Sequence, residues 1–160
     1  MQASTVAAEP HDNETVVGEL RLVQPGNPVF ALGLAVSYLV TKPAFARLSF
    51  GSWSRILIGQ INRGHYRFVV DGASRVQGFM GWALAAKNDA EDWLTGRRSL
   101  SDAETKEGDS IIINAWAANN PEVHRLLLAE CRSVGKGKDN VYFKRHYNDG
   151  TIKPIRLKIR

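Results

Sequence analysis

The chain has 160 residues, a single-domain length. Hydrophobic residues make up 44% of it, enough for a packed core, which excludes a chain disordered throughout. The net charge of +5 names no partner by itself, but it is unevenly spread: residues 1–19 carry Glu9, Asp12, Glu14 and Glu19 and no Lys or Arg, whereas residues 136–160 are strongly basic.

In chain order, residues 1–26 show no sustained hydrophobic period and read as a flexible leader to a domain spanning 27–160. Asn27 and Pro28 have the chemistry of a helix start, and Val29, Leu32, Val36 and Leu39 continue it with one apolar stripe that Pro43 ends. Trp53, Ile56, Leu57 and Ile61 share a face of a second helix, 52–63, stopped by Gly64. Residues 66–70 then read as a strand and Asp71-Gly72 as a turn. Residues 76–86 form a longer strand in which Gly78 and Gly81 suit a bulge or a close backbone approach. A short helix is expected near 89–94, a central strand at 110–118 around Ile111, Ile112 and Ile113, and a helix at 121–132 opened by Asn120-Pro121. A hairpin of 141–147 and 151–159 closes the chain through Asn148-Asp149-Gly150.

This order predicts an α+β domain with a mostly antiparallel sheet flanked by helices. The single cysteine, Cys131, makes no internal disulfide and fits a reducing compartment. The N-terminal residues are acidic and polar, unlike a signal peptide. The longest apolar run, 29–40, falls short of the roughly 20 residues a membrane span needs. A cytoplasmic protein without a membrane span is expected, and a homodimer stays open.

The segment 34–86 resembles the toxin-activating lysine acyltransferases that modify haemolysin-type RTX toxins. The likeness rests on Thr41-Lys42-Pro43-Ala44-Phe45 after the first helix, on Gly81-Trp82-Ala83 ending a strand, and on Glu107-Gly108-Asp109 leading into Ile111-Ile112-Ile113-Asn114. It extends over about residues 29–135 and is one of pattern more than of identity. The resemblance implies a GNAT-like fold and transfer of a fatty acyl group from acyl carrier protein to a lysine of a protein substrate. It implies no bound cofactor, and no metal is expected because no cysteine–histidine pair has the spacing of a zinc site. Attack on a thioester needs a neutral amine and hydrogen-bond donors for the oxyanion, which backbone N–H groups at Gly78 and Gly81 would supply.

The chain departs from the family at its catalytic pair. The family histidine falls at Phe45 and the family aspartate at Asn114, so neither a base nor its charged orienter stands there. Among the histidines, His11 lies in the leader, His65 precedes a strand and His124 opens a helix; His146, in the strand Lys144-Arg145-His146-Tyr147, is the best replacement, with Asn114 as its companion. Cys131 reads as helix packing, and Gly135-Lys136-Gly137-Lys138 as a basic loop lacking the strand–loop–helix frame of a phosphate cradle. Asn119-Asn120-Pro121 lacks the glycine-rich loop with which coenzyme A acetyltransferases bind their donor.

The basic hairpin, with Arg145, Lys153, Arg156 and Lys158, reads as a solvated face or, in line with the resemblance, as a dock for acyl carrier protein or another acidic partner. The first functional reading is a divergent protein-lysine acyltransferase. The second is a pseudoenzyme that keeps the fold as a binding or assembly subunit. Tyr142, Phe143 and Tyr147 among the basic residues allow a third, weaker reading as a nucleic-acid surface, which no recognised motif supports.

Overall fold

The computed structural model describes residues 19–147 and 149–159. Its strands are β1 (Arg21–Val23), β2 (Tyr66–Val70), β3 (Val76–Ala85), β4 (Ser110–Ala118), β5 (Asn140–His146) and β6 (Ile152–Lys158). Its helices are α1 (Pro28–Leu39), α2 (Pro43–Ala46), α3 (Phe50–Arg63), α4 (Lys87–Leu94) and α5 (Pro121–Val134). The six strands form one sheet whose spatial order equals the chain order. Every neighbouring pair is antiparallel except β4 and β5, which run parallel and are joined through α5. The expected α+β architecture is what the chain adopts.

Local chemistry accounts for the helix ends. The Asn27 side chain accepts from Phe30 N at the start of α1, and Asn120 accepts from Val123 N at the start of α5, each followed by a proline whose missing N–H costs nothing there. Gly64 ends α3 at φ +72°, a left-handed position that a Cβ would strain. Pro43 does more than stop α1, for it opens the single turn of α2.

The leader is corrected at its C-terminal end, where Arg21–Val23 pairs with β2 as an edge strand. Gln24 donates to the Gly64 carbonyl, and the Tyr66 hydroxyl donates to Pro25 O, so residues 21–25 are clamped onto the fold. Three residues carry too little periodicity to read as a strand from sequence. Residues 1–18, with the expectation for His11, and Asn148 of the last turn lie outside the described residues.

Both faces of the sheet are covered. On one, Phe68, Phe79, Ala115 and Ala117 pack against Ala35, Leu39, Trp53 and Leu57 of α1 and α3. Farther along that face, Ala83, Ala85, Ile112 and Tyr142 pack on Ala90 and Leu94 of α4. On the other face, Met80, Trp82, Ile111 and Ile113 meet Val123 and Leu127 of α5. Among the described residues no helix is long and apolar enough to cross a membrane.

Candidate functional site

The sheet is interrupted at its centre. Strands β4 and β5 pair over Ser110–Ile113 against Asn140–Phe143, and the pairing stops there. Beyond it β4 runs on through Asn114 to Ala118 and β5 through Lys144 to His146, each bonded only to its antiparallel neighbour. The backbone of β4 therefore presents unpaired groups to the gap between the two strands. In such a gap an extended ligand can take the place of the missing strand.

The gap opens at a bulge. Gly81 pairs with Ala115 and Trp82 with Ile113, so Asn114 is the extra residue, and its side chain turns with Ala115 toward α3. There Gln60 Nε2 donates to Asn114 Oδ1. Gln60 is fully buried, and its own Oε1 has no partner. A Cβ at Gly81 would overlap the Gln60 amide, so this glycine makes room for it. A second slip, between Val69 and Val70, leaves Gln77 as the extra residue of β3.

Gly78 and Gly81, expected as the bulged residues and oxyanion donors, are not the extra residues of either bulge. Both sit inside β3 with neighbours on both strands, and the bulged residues are Gln77 and Asn114. A Cβ at Gly78 would come within 2.5 Å of Val123 Cγ1, so this glycine admits α5 to the sheet. Bulges leave little trace in sequence, whereas glycines are conspicuous.

The family's catalytic positions are not brought into contact either. Phe45 packs on Trp53 with ring centroids 6.4 Å apart, while Asn114 is held by Gln60 seven residues farther along α3, about 10 Å at the helical rise. His146 lies exposed at the far end of β5, opposite Ile152, with no bond to Asn114. His65 stacks on Trp82 with centroids 5.6 Å apart, and its Nδ1 accepts from Arg63 Nε. Burial above all, then the Arg63 and Lys138 charges, hold it down to about 4, so it is neutral at pH 7. His124 accepts from Trp116 Nε1 at 3.2 Å. Cys131 is half-buried against the α5 core, where burial pushes its thiol up, as befits a packing residue.

Lys144 is the titratable residue sequence reasoning missed. It is the first β5 residue past the last paired position, and its ammonium lies 4.4 Å from the centre of the Trp93 ring. Burial lowers its pKa, favouring the neutral amine. Nothing in a run of Lys, Arg and His singles it out; the placement comes from α4 closing over it.

The four basic hairpin residues divide between two faces. Arg145 pairs directly with Lys153 on the α5 side. Arg156 and Lys158 point to the α4 side, where Arg156 donates to Glu91 and lies over the Tyr142 ring. Strand alternation, with Pro154 and Ile155 between, splits a cluster that looks continuous in sequence.

The loop after β4 is short of donors. Asn119 N already donates to Gln77 O, Val123 N to the Asn120 side chain, and Pro121 has no N–H. Glu122 adds a carboxylate in the first turn of α5. A pyrophosphate needs several free backbone N–H groups at such a helix start, so these residues do not fit the diphosphate of coenzyme A.

A β-sheet carrying one parallel pair that splays at its centre, with the βαβ crossover behind it, is the fold of the GCN5-related N-acetyltransferases. The chain is similar to mosquito arylalkylamine N-acetyltransferase like 5b, with a TM-score of 0.55 and 8% identity over 88% of this chain and 96% of that one. It is also similar to a GCN5-related N-acetyltransferase from Kribbella flavida, at a TM-score of 0.50 and 16% identity over 81% of this chain; it spans only 31% of that protein. No family model matches the sequence, and no curated protein sequence does.

Proposed function

We propose that this chain moves an acyl group from a pantetheine thioester to an amine, with acyl carrier protein as donor and a protein lysine, as in RTX-type toxins, as acceptor. The observation that carries this reading is the unpaired half of β4, Asn114–Ala118, which offers an extended thioester arm a strand edge to lie against. Backbone N–H groups at the Asn114 bulge are the donors available to an oxyanion there. The donor-poor loop at Asn119–Glu122 favours a carrier protein over free coenzyme A, and Arg145 with Lys153 offers such an acidic carrier a cationic face.

A second reading, a binding subunit without turnover, is favoured by one observation: Phe45 is packed on Trp53 where a base would be needed. One experiment separates them. Purified protein is mixed with octanoyl-acyl carrier protein and a lysine peptide, and both thioester loss and complex formation are followed by mass spectrometry and calorimetry. Thioester loss with a gain of mass on the peptide supports transfer. A complex without thioester loss supports the binding subunit, and neither signal overturns both.

A further inference from the structure

A cleft of about 340 Å³ lies just past the C-terminal end of β4, between the C-terminal half of α1 and the start of β3. Leu34, Val76 and the Tyr38 ring form apolar walls, and Ser37, Thr41, Lys42 and Asn119 supply the polar groups. The polar groups are wired in a definite sense. The buried Tyr38 hydroxyl lies 2.9 Å from Gln77 O and 3.0 Å from Asn119 Oδ1, donating to one at a time. Burial raises this hydroxyl to about 12, so it stays a donor at any ordinary pH. Lys42 Nζ also donates to Asn119 Oδ1, and packs 4.6 Å from the centre of the Tyr38 ring. Asn119 Nδ2 donates onward to Gln77 Oε1, and Gln77 Nε2 to Asp71 Oδ2, both at 2.9 Å.

This chain of amides decides the charge of the cleft. Asp71, the carboxylate at its end, stands two amide groups away from Lys42 and is itself paired with Arg75. Among the described residues Lys42 makes no ion pair, and residues 20–70, which hold α1, α2 and α3, contain six Lys or Arg and not one Asp or Glu. An ammonium spends one of its three N–H groups on Asn119 and keeps two more, and the Ser37 hydroxyl also lines the cleft. The amide oxygens are already taken by donors, so the site favours an acceptor that brings negative charge.

We infer that this cleft binds an aliphatic carboxylate, its head on Lys42 and its chain along Leu34, Val76 and Tyr38. An apolar wall with one charged anchor is the usual composition of a small-molecule site, and this volume is at the small end of that range. The inference does not rest on the acyl-transfer reading: the cleft is lined by α1 with Thr41 and Lys42, by Val76 and by Asn119, with no residue of β5 or of the Asn114 bulge, and carboxylate binding is read out without any acyl transfer.

The test is calorimetric titration of the full chain with sodium hexanoate, and with N-acetyl-Gly-Leu, which carries the same head and an apolar side chain at a peptide terminus. The neutral hexanamide is the control. Saturable binding of either acid with a Kd of about 1 mM or tighter, at least about tenfold tighter than hexanamide, is expected, and the tighter acid identifies a free ligand or a chain terminus as the source. Lys42→Gln is expected to weaken binding about tenfold or more. Ser37→Trp, on the exposed side of α1, fills the cleft and is expected to abolish binding even should Lys42→Gln fail to fold. No saturable binding of either acid, equal binding of hexanamide, or acid binding unchanged in the Ser37→Trp protein overturns the inference.

Discussion

Gln60 occupies the space that any side chain at position 81 would need: its amide lies over Gly81 and reaches Asn114 at the bulge of β4. The interrupted sheet and the helix behind it are thus coupled through one glycine. Gly81→Ala is expected to cost about 1–3 kcal/mol, the usual penalty of overpacking, because the buried Gln60 amide must leave its partner. In a Gln60→Ala background the same change should cost markedly less. Urea unfolding of the four proteins measures both, and an equal cost in the two backgrounds would contradict the coupling.

Restoring the family pair is expected to fail. Phe45→His with Asn114→Asp puts an imidazole beside Trp53 and a carboxylate beside Gln60, about two turns of α3 apart. The double variant should gain no acyl transfer over the parent chain in the octanoyl-carrier assay and should melt lower. A gain of transfer would show that the two positions meet.

Acid should loosen the stack of His65 on Trp82. In the folded chain His65 binds its proton only near pH 4, whereas an unfolded histidine does so near 6.5, so the unfolded state takes up more protons between those values. The stability held by the neutral ring is fully present above pH 6.5 and is lost as pH falls toward 4. Melting temperature should therefore drop between pH 7 and pH 4.5, and His65→Phe, which keeps an aromatic ring on Trp82, should drop less. Parallel curves for the two proteins would rule this out.

On the hairpin, the two pairs of cations should behave differently. Arg145→Glu with Lys153→Glu changes exposed charges on one face and should weaken acyl carrier protein at low salt, with the difference vanishing as salt rises and little change in melting temperature. Arg156→Glu instead sets a carboxylate against Glu91 and should lower the melting temperature. Binding that responds to Arg156 and Lys158 but not to Arg145 and Lys153 would move the dock to the α4 face. Tight single-stranded nucleic acid binding with none to the carrier would point to the third reading.

Much of the fold was legible in the residues. Residues 66–70 and 110–118 read as strands because their apolar runs are bounded by turn chemistry, and α1 and α5 announced themselves through Asn-Pro starts. What stayed hidden shares a physical character. The strand at Arg21–Val23 exists only because β2 has an open edge to pair with. The end of the β4–β5 pairing is a property of two strands' relative path, which no local pattern encodes. Lys144 draws its lowered pKa from burial by elements distant in sequence, and the split of the hairpin charges follows from a register that the turn sets. The glycines drew attention to β3, while the bulges fell on an asparagine and a glutamine.

The absence of carboxylates between residues 20 and 70 has a consequence for how the molecule responds to its medium. Moderate acid protonates aspartates and glutamates, and among the described residues these all lie outside that stretch, Glu19 bordering it. The α1–α3 half therefore keeps an almost fixed positive potential while the remainder of the molecule is titrated around it, since its one histidine, His65, takes up a proton only near pH 4. Residues 71–159 carry fourteen Lys or Arg against twelve Asp or Glu, so acidification takes them from nearly neutral to strongly positive, and any preference of an anionic support for the α1–α3 half should be lost as the pH falls.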